Sequence, residues 1–97
     1  MNQTISKDKA VALVSHWSAT GSDEAIERQL KFSTFSDAFA FMTHVALKAE
    51  AMDHHPNWSN VYNQVSIQLT THDANGITQK DIDLARHIND VAARFLK

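Results

Sequence analysis

The apolar positions of this chain change period several times, and each change marks an element. Ala10, Leu13, Val14 and Trp17 follow i, i+3, i+4, i+7 spacing behind Ser6 as N-cap, with Asp8 in the first turn. That predicts a short amphipathic helix ending near His16. Gly21-Ser22-Asp23 is a turn cluster. Ile26, Leu30 and Phe32 then alternate with Glu27, Gln29 and Lys31, the mark of a half-buried strand, and Arg28 interrupts the apolar side. A shorter strand over Trp17–Thr20 can pair back on it across the turn.

Thr34 with Asp37 three residues on resembles a capping box, so Phe35 starts a second helix. Phe35, Ala38, Phe39, Met42, Val45, Ala46, Ala49 and Met52 form its long apolar stripe, predicted to face the core. Phe41 falls off that stripe and is left for a subunit contact. Pro56 cannot continue a helix and biases His55 away from helical geometry. Trp58–Tyr62 and Val65–Thr71 read as two strands about a two-residue turn, Asn63-Gln64. Tyr62, Val65, Ile67 and Leu69 would share one face, with Ser66, Gln68 and Thr70 on the other. Asp73–Gly76 is loop. Thr78 opens the last helix, with Asp81 three residues on and Ile82, Ala85, Ile88, Ala92 and Phe95 as its buried side. The order α-β-β-α-β-β-α, with both strand pairs as hairpins, predicts a single α+β domain over residues 1–97. One four-stranded antiparallel sheet would carry three helices on one face.

Composition removes several function classes. Nine basic against eleven acidic residues give a net charge of −2, so no basic excess is available to displace counterions from nucleic acid. Cysteine is absent, which excludes disulfides, a thiolate nucleophile and Cys-type zinc sites. The two glycines are too few for a phosphate-cradling loop, and there is no GxSxG elbow. The first ten residues lack an apolar signal core, and no stretch approaches the roughly eighteen apolar residues of a membrane span. The expectation is a cytoplasmic protein with neither nucleic acid nor membrane as partner.

The remaining chemistry concentrates between Glu50 and Asp81. This stretch holds three of the six histidines, His54, His55 and His72, together with the only proline. Imidazole titrates near neutrality and can give or take a proton at working pH. Neighbouring helical residues lie about 100° apart, so His54 and His55 converge only where the helix unwinds, and Pro56 supplies the unwinding. Glu50, at i, i+4 from His54, is placed to orient its ring. The bland alternative has both histidines meeting the helix C-terminal dipole. His54, His55, His72 and Asp81 are enough ligands for a metal on paper, but HExxH and HxH spacings are absent, so metal is the weaker reading. Capping alone accounts for Asp81. Trp17 and Trp58 suit either a core or the wall of a flat-ring pocket. His16, His44 and His87 read as surface or satisfied residues.

These residues form a pattern: Ala49-Glu50, His54-His55-Pro56, Trp58, Asn60-Val61-Tyr62-Asn63, Val65, Thr71-His72-Asp73, Gly76, Thr78, Asp81 and Leu84-Ala85. It resembles the pterin-4a-carbinolamine dehydratases, and Trp17, Phe32 and the Phe35–Ala46 stretch extend the likeness upstream. The resemblance implies metal-independent, cofactor-free dehydration of 4a-hydroxytetrahydropterin to quinonoid dihydropterin, in support of an aromatic amino acid hydroxylase. It also implies His54, His55 and His72 as active-site histidines, with Glu50, Pro56, Asp81, Trp17 and Trp58 around the pterin. On that basis His54 and His72 would move the protons and His55 would bind the pterin. Glu50 would orient His54 or meet the pterin edge, and Asp81 would support His72. A homo-oligomer, dimer or tetramer, is expected. The alternatives are a non-catalytic oligomeric module that binds a pterin or a protein, and a role in another pterin pathway such as that of molybdopterin.

Overall fold

A computed structural model of the chain describes residues 3–21 and 24–96. The Ser6 hydroxyl accepts the Lys9 N–H and starts α1, Lys7–Leu13. This helix is shorter than the apolar spacing suggests, because Val14 is already extended and His16 sits at a φ of 73°. Its end is held from outside: Arg86 donates to the Leu13 carbonyl and Asn89 to that of Ser15. β1, Ser18–Ala19, pairs antiparallel with β2, Ile26–Lys31. Two residues of the predicted turn between them, Ser22 and Asp23, lie outside the described residues. Thr34 caps α2, Phe35–Met52, by accepting the Asp37 N–H at 3.0 Å. β3, Asn57–Val61, and β4, Gln64–Leu69, form the second hairpin. A 3-10 turn at His72–Ala74 leads into α3, Gln79–Phe95.

The sheet order is β1-β2-β4-β3, all antiparallel, so the two hairpins join through β2 and β4. Ile26 and Leu30 of β2 and Val65, Ile67 and Leu69 of β4 are buried with the helices, while Gln29, Lys31, Gln64 and Ser66 are exposed on the alternate positions. The three-helix, four-strand α+β architecture is the one the sequence predicts. On α3 the expected Ile82, Ala85, Ile88 and Ala92 are buried, joined by Leu84 and Val91, and Phe95 packs partly buried against the same core. Among the described residues no helix is long and apolar enough to cross a membrane.

Two details differ. On α2 the buried residues are Ala38, Phe41, Val45 and Ala49, whereas Phe35 and Phe39 are 47% and 56% exposed and Ala46 is also exposed. Phe41 stacks on Phe32 with ring centroids 4.9 Å apart. At about 100° per residue, the four buried positions fall within about 40° of Val45, while Phe35, Phe39 and Ala46 lie about 80–120° round the helix. The apolar arc of α2 is wider than one face, and α3 and the sheet cover only one side of it. In the second hairpin Val61 pairs with Gln64, so the turn is Tyr62-Asn63 rather than Asn63-Gln64. Tyr62 takes a φ of 51° and is 64% exposed, off the face assigned to it. Side-chain bonds set this register. Asn60 donates to the carbonyls of Tyr62 and Gln64, and Asn63 is buried and donates to the Phe32 carbonyl at 2.7 Å.

Candidate active site

The site is made where α2 runs out. Asp53 adopts the left-handed conformation, φ 53° and ψ 42°, and its N–H reaches back to the carbonyls of Ala49 and Glu50. The His54 N–H also bonds the Ala49 carbonyl, closing a Schellman-type end. This reversal gives consecutive histidines different surroundings: His54 is 8% exposed, while the His55 side chain is largely in solvent. Pro56 then leads into β3. Because Asn57 pairs with Gln68, the segments just outside the ladder, His54–Pro56 and Thr70–His72, leave the sheet at the same end.

Asp81 ties that end to α3. Its carboxylate is fully buried; Oδ1 accepts from His54 Nε2 at 2.6 Å, and Oδ2 accepts the Thr71 hydroxyl at 2.8 Å and the Thr78 N–H at 2.9 Å. The Thr71 and Thr78 hydroxyls are 2.8 Å apart. Since the Thr71 proton is directed at Asp81, Thr78 is the donor between them. Asp81 therefore caps α3 and grips a histidine at once. A buried carboxylate is tolerated here because each oxygen has hydrogen-bond donors.

The other two histidines are outside this buried knot. His55 Nε2 lies 3.1 Å from Glu50 Oε1, with both side chains exposed. His72 is exposed at the start of the 3-10 turn, directly after buried Thr71. A bridge between Thr71 and Gly76 closes the loop that carries it, and the chain at Gly76 passes so close to Thr4 that an added Cβ would sit 3.2 Å from its Cγ2. Two expected pairings are thus corrected. Glu50 meets His55, not His54, because the left-handed Asp53 breaks the i, i+4 geometry that a continuing helix would have kept. Asp81 supports His54, not His72: His54 Nε2 sits on its Oδ1 inside the buried knot, while the His72 side chain is exposed.

Trp58 is half-buried on β3, paired with Ile67 and packed against the core. Trp17 is buried, and its Nε1–H donates to Asn89 Oδ1 at 2.9 Å, an oxygen that also accepts from Arg28. Asn89 lies eight residues beyond Asp81 on α3, about 12 Å along the axis, so Trp17 is anchored apart from the His54–Asp81 pair. Arg28 has its pKa lowered by burial. Among the described residues no three His, Asp or Glu side chains converge closely enough to hold a metal ion. Sequence reasoning passed over Asp53 and Thr71 as working residues. The signal for Thr71 was present in the Thr71-His72-Asp73 run, but its target ten residues on became visible only in three dimensions.

The family model described as Pterin 4 alpha carbinolamine dehydratase matches residues 2–91. A protein of Burkholderia orbicola named as a pterin-4-alpha-carbinolamine dehydratase is 56% identical over 78 residues, covering 80% of this chain and 76% of its own. One from Burkholderia vietnamiensis, similarly named, is 53% identical over 81 residues, covering 84% and 79%. The crystal structure of a transcriptional coactivator/pterin dehydratase from Brucella melitensis superposes with a TM-score of 0.89 at 42% identity, covering 93% of this chain and 99% of that one. A pterin dehydratase-like protein identified as a RuBisCO assembly factor in the alpha-carboxysome shares the fold, with a TM-score of 0.70 at 19% identity over 80% of this chain and 90% of its own.

Proposed function

This chain belongs to the pterin-4α-carbinolamine dehydratase family and is a dehydratase, and from that premise we propose how its residues carry the reaction. The substrate is a 4a-hydroxytetrahydropterin. The C4a–O bond breaks as the hydroxyl takes up a proton and leaves as water. The neighbouring ring nitrogen gives up its N–H proton, and the electron pair left behind forms the C=N bond of the quinonoid dihydropterin. One acid and one base suffice, and together they return to their starting protonation when the two protons are exchanged with water.

His54 and His72 are the proton-transfer pair in this reading. His55, held by Glu50, binds the pterin, with Pro56 and Trp58 beside it, and Trp17 serves the scaffold. The observation that carries the reading is the 2.6 Å bond between buried His54 and buried Asp81. A helix cap needs only the oxygen that meets Thr78 N–H. The second oxygen is spent on orienting an imidazole, as expected for a group that must present one nitrogen in a fixed direction. The product, after two-electron reduction to the tetrahydropterin by a separate reductase, would again serve an aromatic amino acid hydroxylase. Assembly belongs to the same proposal: exposed Phe35, Phe39 and Ala46 lie along one flank of α2, where a second copy of the chain would cover them.

The test is decay of enzymatically generated 4a-hydroxytetrahydropterin, followed by ultraviolet absorbance. Wild type should accelerate it, His54→Ala and His72→Ala should each lower kcat by about 10²-fold or more, and His55→Ala should act mainly on KM. A folded wild type that gives no acceleration would discard the catalytic assignment and leave an oligomeric pterin-binding module.

A further inference from the structure

The buried knot does more than hold His54 in place; its hydrogen bonds run in one direction. Thr78 Oγ–H donates to Thr71 Oγ, and Thr71 Oγ–H donates to Asp81 Oδ2, where the Thr78 N–H also arrives. With two donors on Oδ2, Asp81 is set up as a carboxylate acceptor, and the hydrogen in the 2.6 Å contact belongs to His54 Nε2. No buried side-chain nitrogen or oxygen among the described residues lacks a partner, and His54 bonds through Nε2. Its Nδ1 therefore lies on the small part of the ring that solvent reaches.

We propose that Thr71 is a positioning residue, the donor that locks His54 as the Nε2–H tautomer and so presents Nδ1 as the proton-accepting nitrogen of the site. This rests on the reading of His54 as a proton-transfer group and deepens it. His54 becomes the base that takes the ring N–H proton, and the acid is left to a histidine in solvent, His72. Thr71 also joins the two halves of the site. Its side chain fixes His54 through Asp81, while its backbone bridges Gly76 and closes the loop that begins with His72. One residue thereby sets both the nitrogen that accepts and the loop that carries the donor.

The experiment is nitrogen-15 NMR of histidine-labelled full-length protein, with dehydration kinetics on the same samples. Wild type should show His54 protonated at Nε2 with an unprotonated Nδ1. Thr71→Val, which keeps the shape and loses the hydroxyl, should give mixed tautomers, and kcat should fall about 10- to 100-fold while KM stays within about twofold. Thr71→Ser should restore both. A purely structural threonine would lower the melting temperature without moving the tautomer or the pH–rate profile, and that result overturns the proposal. So does a wild-type His54 carrying its proton on Nδ1, a measurement that decides even if Thr71→Val fails to fold. Full kcat in His54→Ala would instead remove His54 from the chemistry, a failure of the functional reading that the tautomer spectrum reports separately.

Discussion

Asp81 holds fold and chemistry in one side chain, and two substitutions should separate them. Asp81→Ala removes the acceptor for three buried donors: His54 Nε2–H, the Thr71 hydroxyl and the Thr78 N–H. An unsatisfied buried donor costs about 1–3 kcal/mol, and losing the acceptor of all three costs about 3–5 kcal/mol, less than the full sum because neighbouring groups and water recover part of it. Against a total stability of about 5–15 kcal/mol this is severe. At about 4–8 °C per kcal/mol the melting temperature should drop by more than about 12 °C. Asp81→Asn is different. Its amide oxygen still accepts from Thr71 and Thr78, while its NH₂ faces His54 and pairs with Nε2 only if that nitrogen gives up its hydrogen. A charge-assisted bond becomes a neutral one, at about 1–2 kcal/mol. His54 is forced into the Nδ1–H tautomer, so kcat should fall by about 10²-fold or more although the fold persists. Calorimetric melts and dehydration kinetics on both variants make the comparison. An asparagine variant as unstable as the alanine variant would refute the assignment of acceptors. One with wild-type kcat would refute the need for an oriented His54.

Three further outcomes are expected. Phe41→Ala should cost about 3–5 kcal/mol in chemical denaturation, since the ring is fully buried against Phe32, whereas Phe39→Ala should leave monomer stability within about 0.5 kcal/mol and change the oligomeric state seen by light scattering. Glu50→Gln should shift stability by no more than about 0.5 kcal/mol because its pair with His55 is exposed, and its effect should appear in KM; a large loss of melting temperature would contradict that geometry. The His87 pKa lies below 6.5 through burial, reinforced by Lys48. The unfolded chain therefore binds more protons than the folded one between the folded value and 6.5, so this residue makes stability rise with pH across that window and contributes no slope above it. His87→Gln should flatten that part of the stability–pH curve, and an unaltered slope would show that His87 does not supply it.

The amino-acid pattern alone determined the element order, the antiparallel α+β class, the helix caps at Ser6, Thr34 and Thr78, and the stretch in which the chemistry lies. Those features depend on local causes: period, capping side chains and the ring of Pro56 act within a few residues. The tertiary structure decided which partners those residues meet. The apolar arc of α2 is broader than the face that α3 and the sheet cover, so periodicity could not choose Phe41 over Phe39. The hairpin turn settled on Tyr62-Asn63 because Asn63 is pinned to the Phe32 carbonyl, 31 residues away in the chain. Glu50 went to His55 because Asp53 turns left-handed and ends the helical spacing. Asp81 went to His54, 27 residues distant, because β3 and α3 begin, and β4 ends, at the same end of the sheet. Sequence spacing carries no record of a contact made across the fold. Such pairings follow from how packed elements exclude water and leave each buried donor one acceptor within reach.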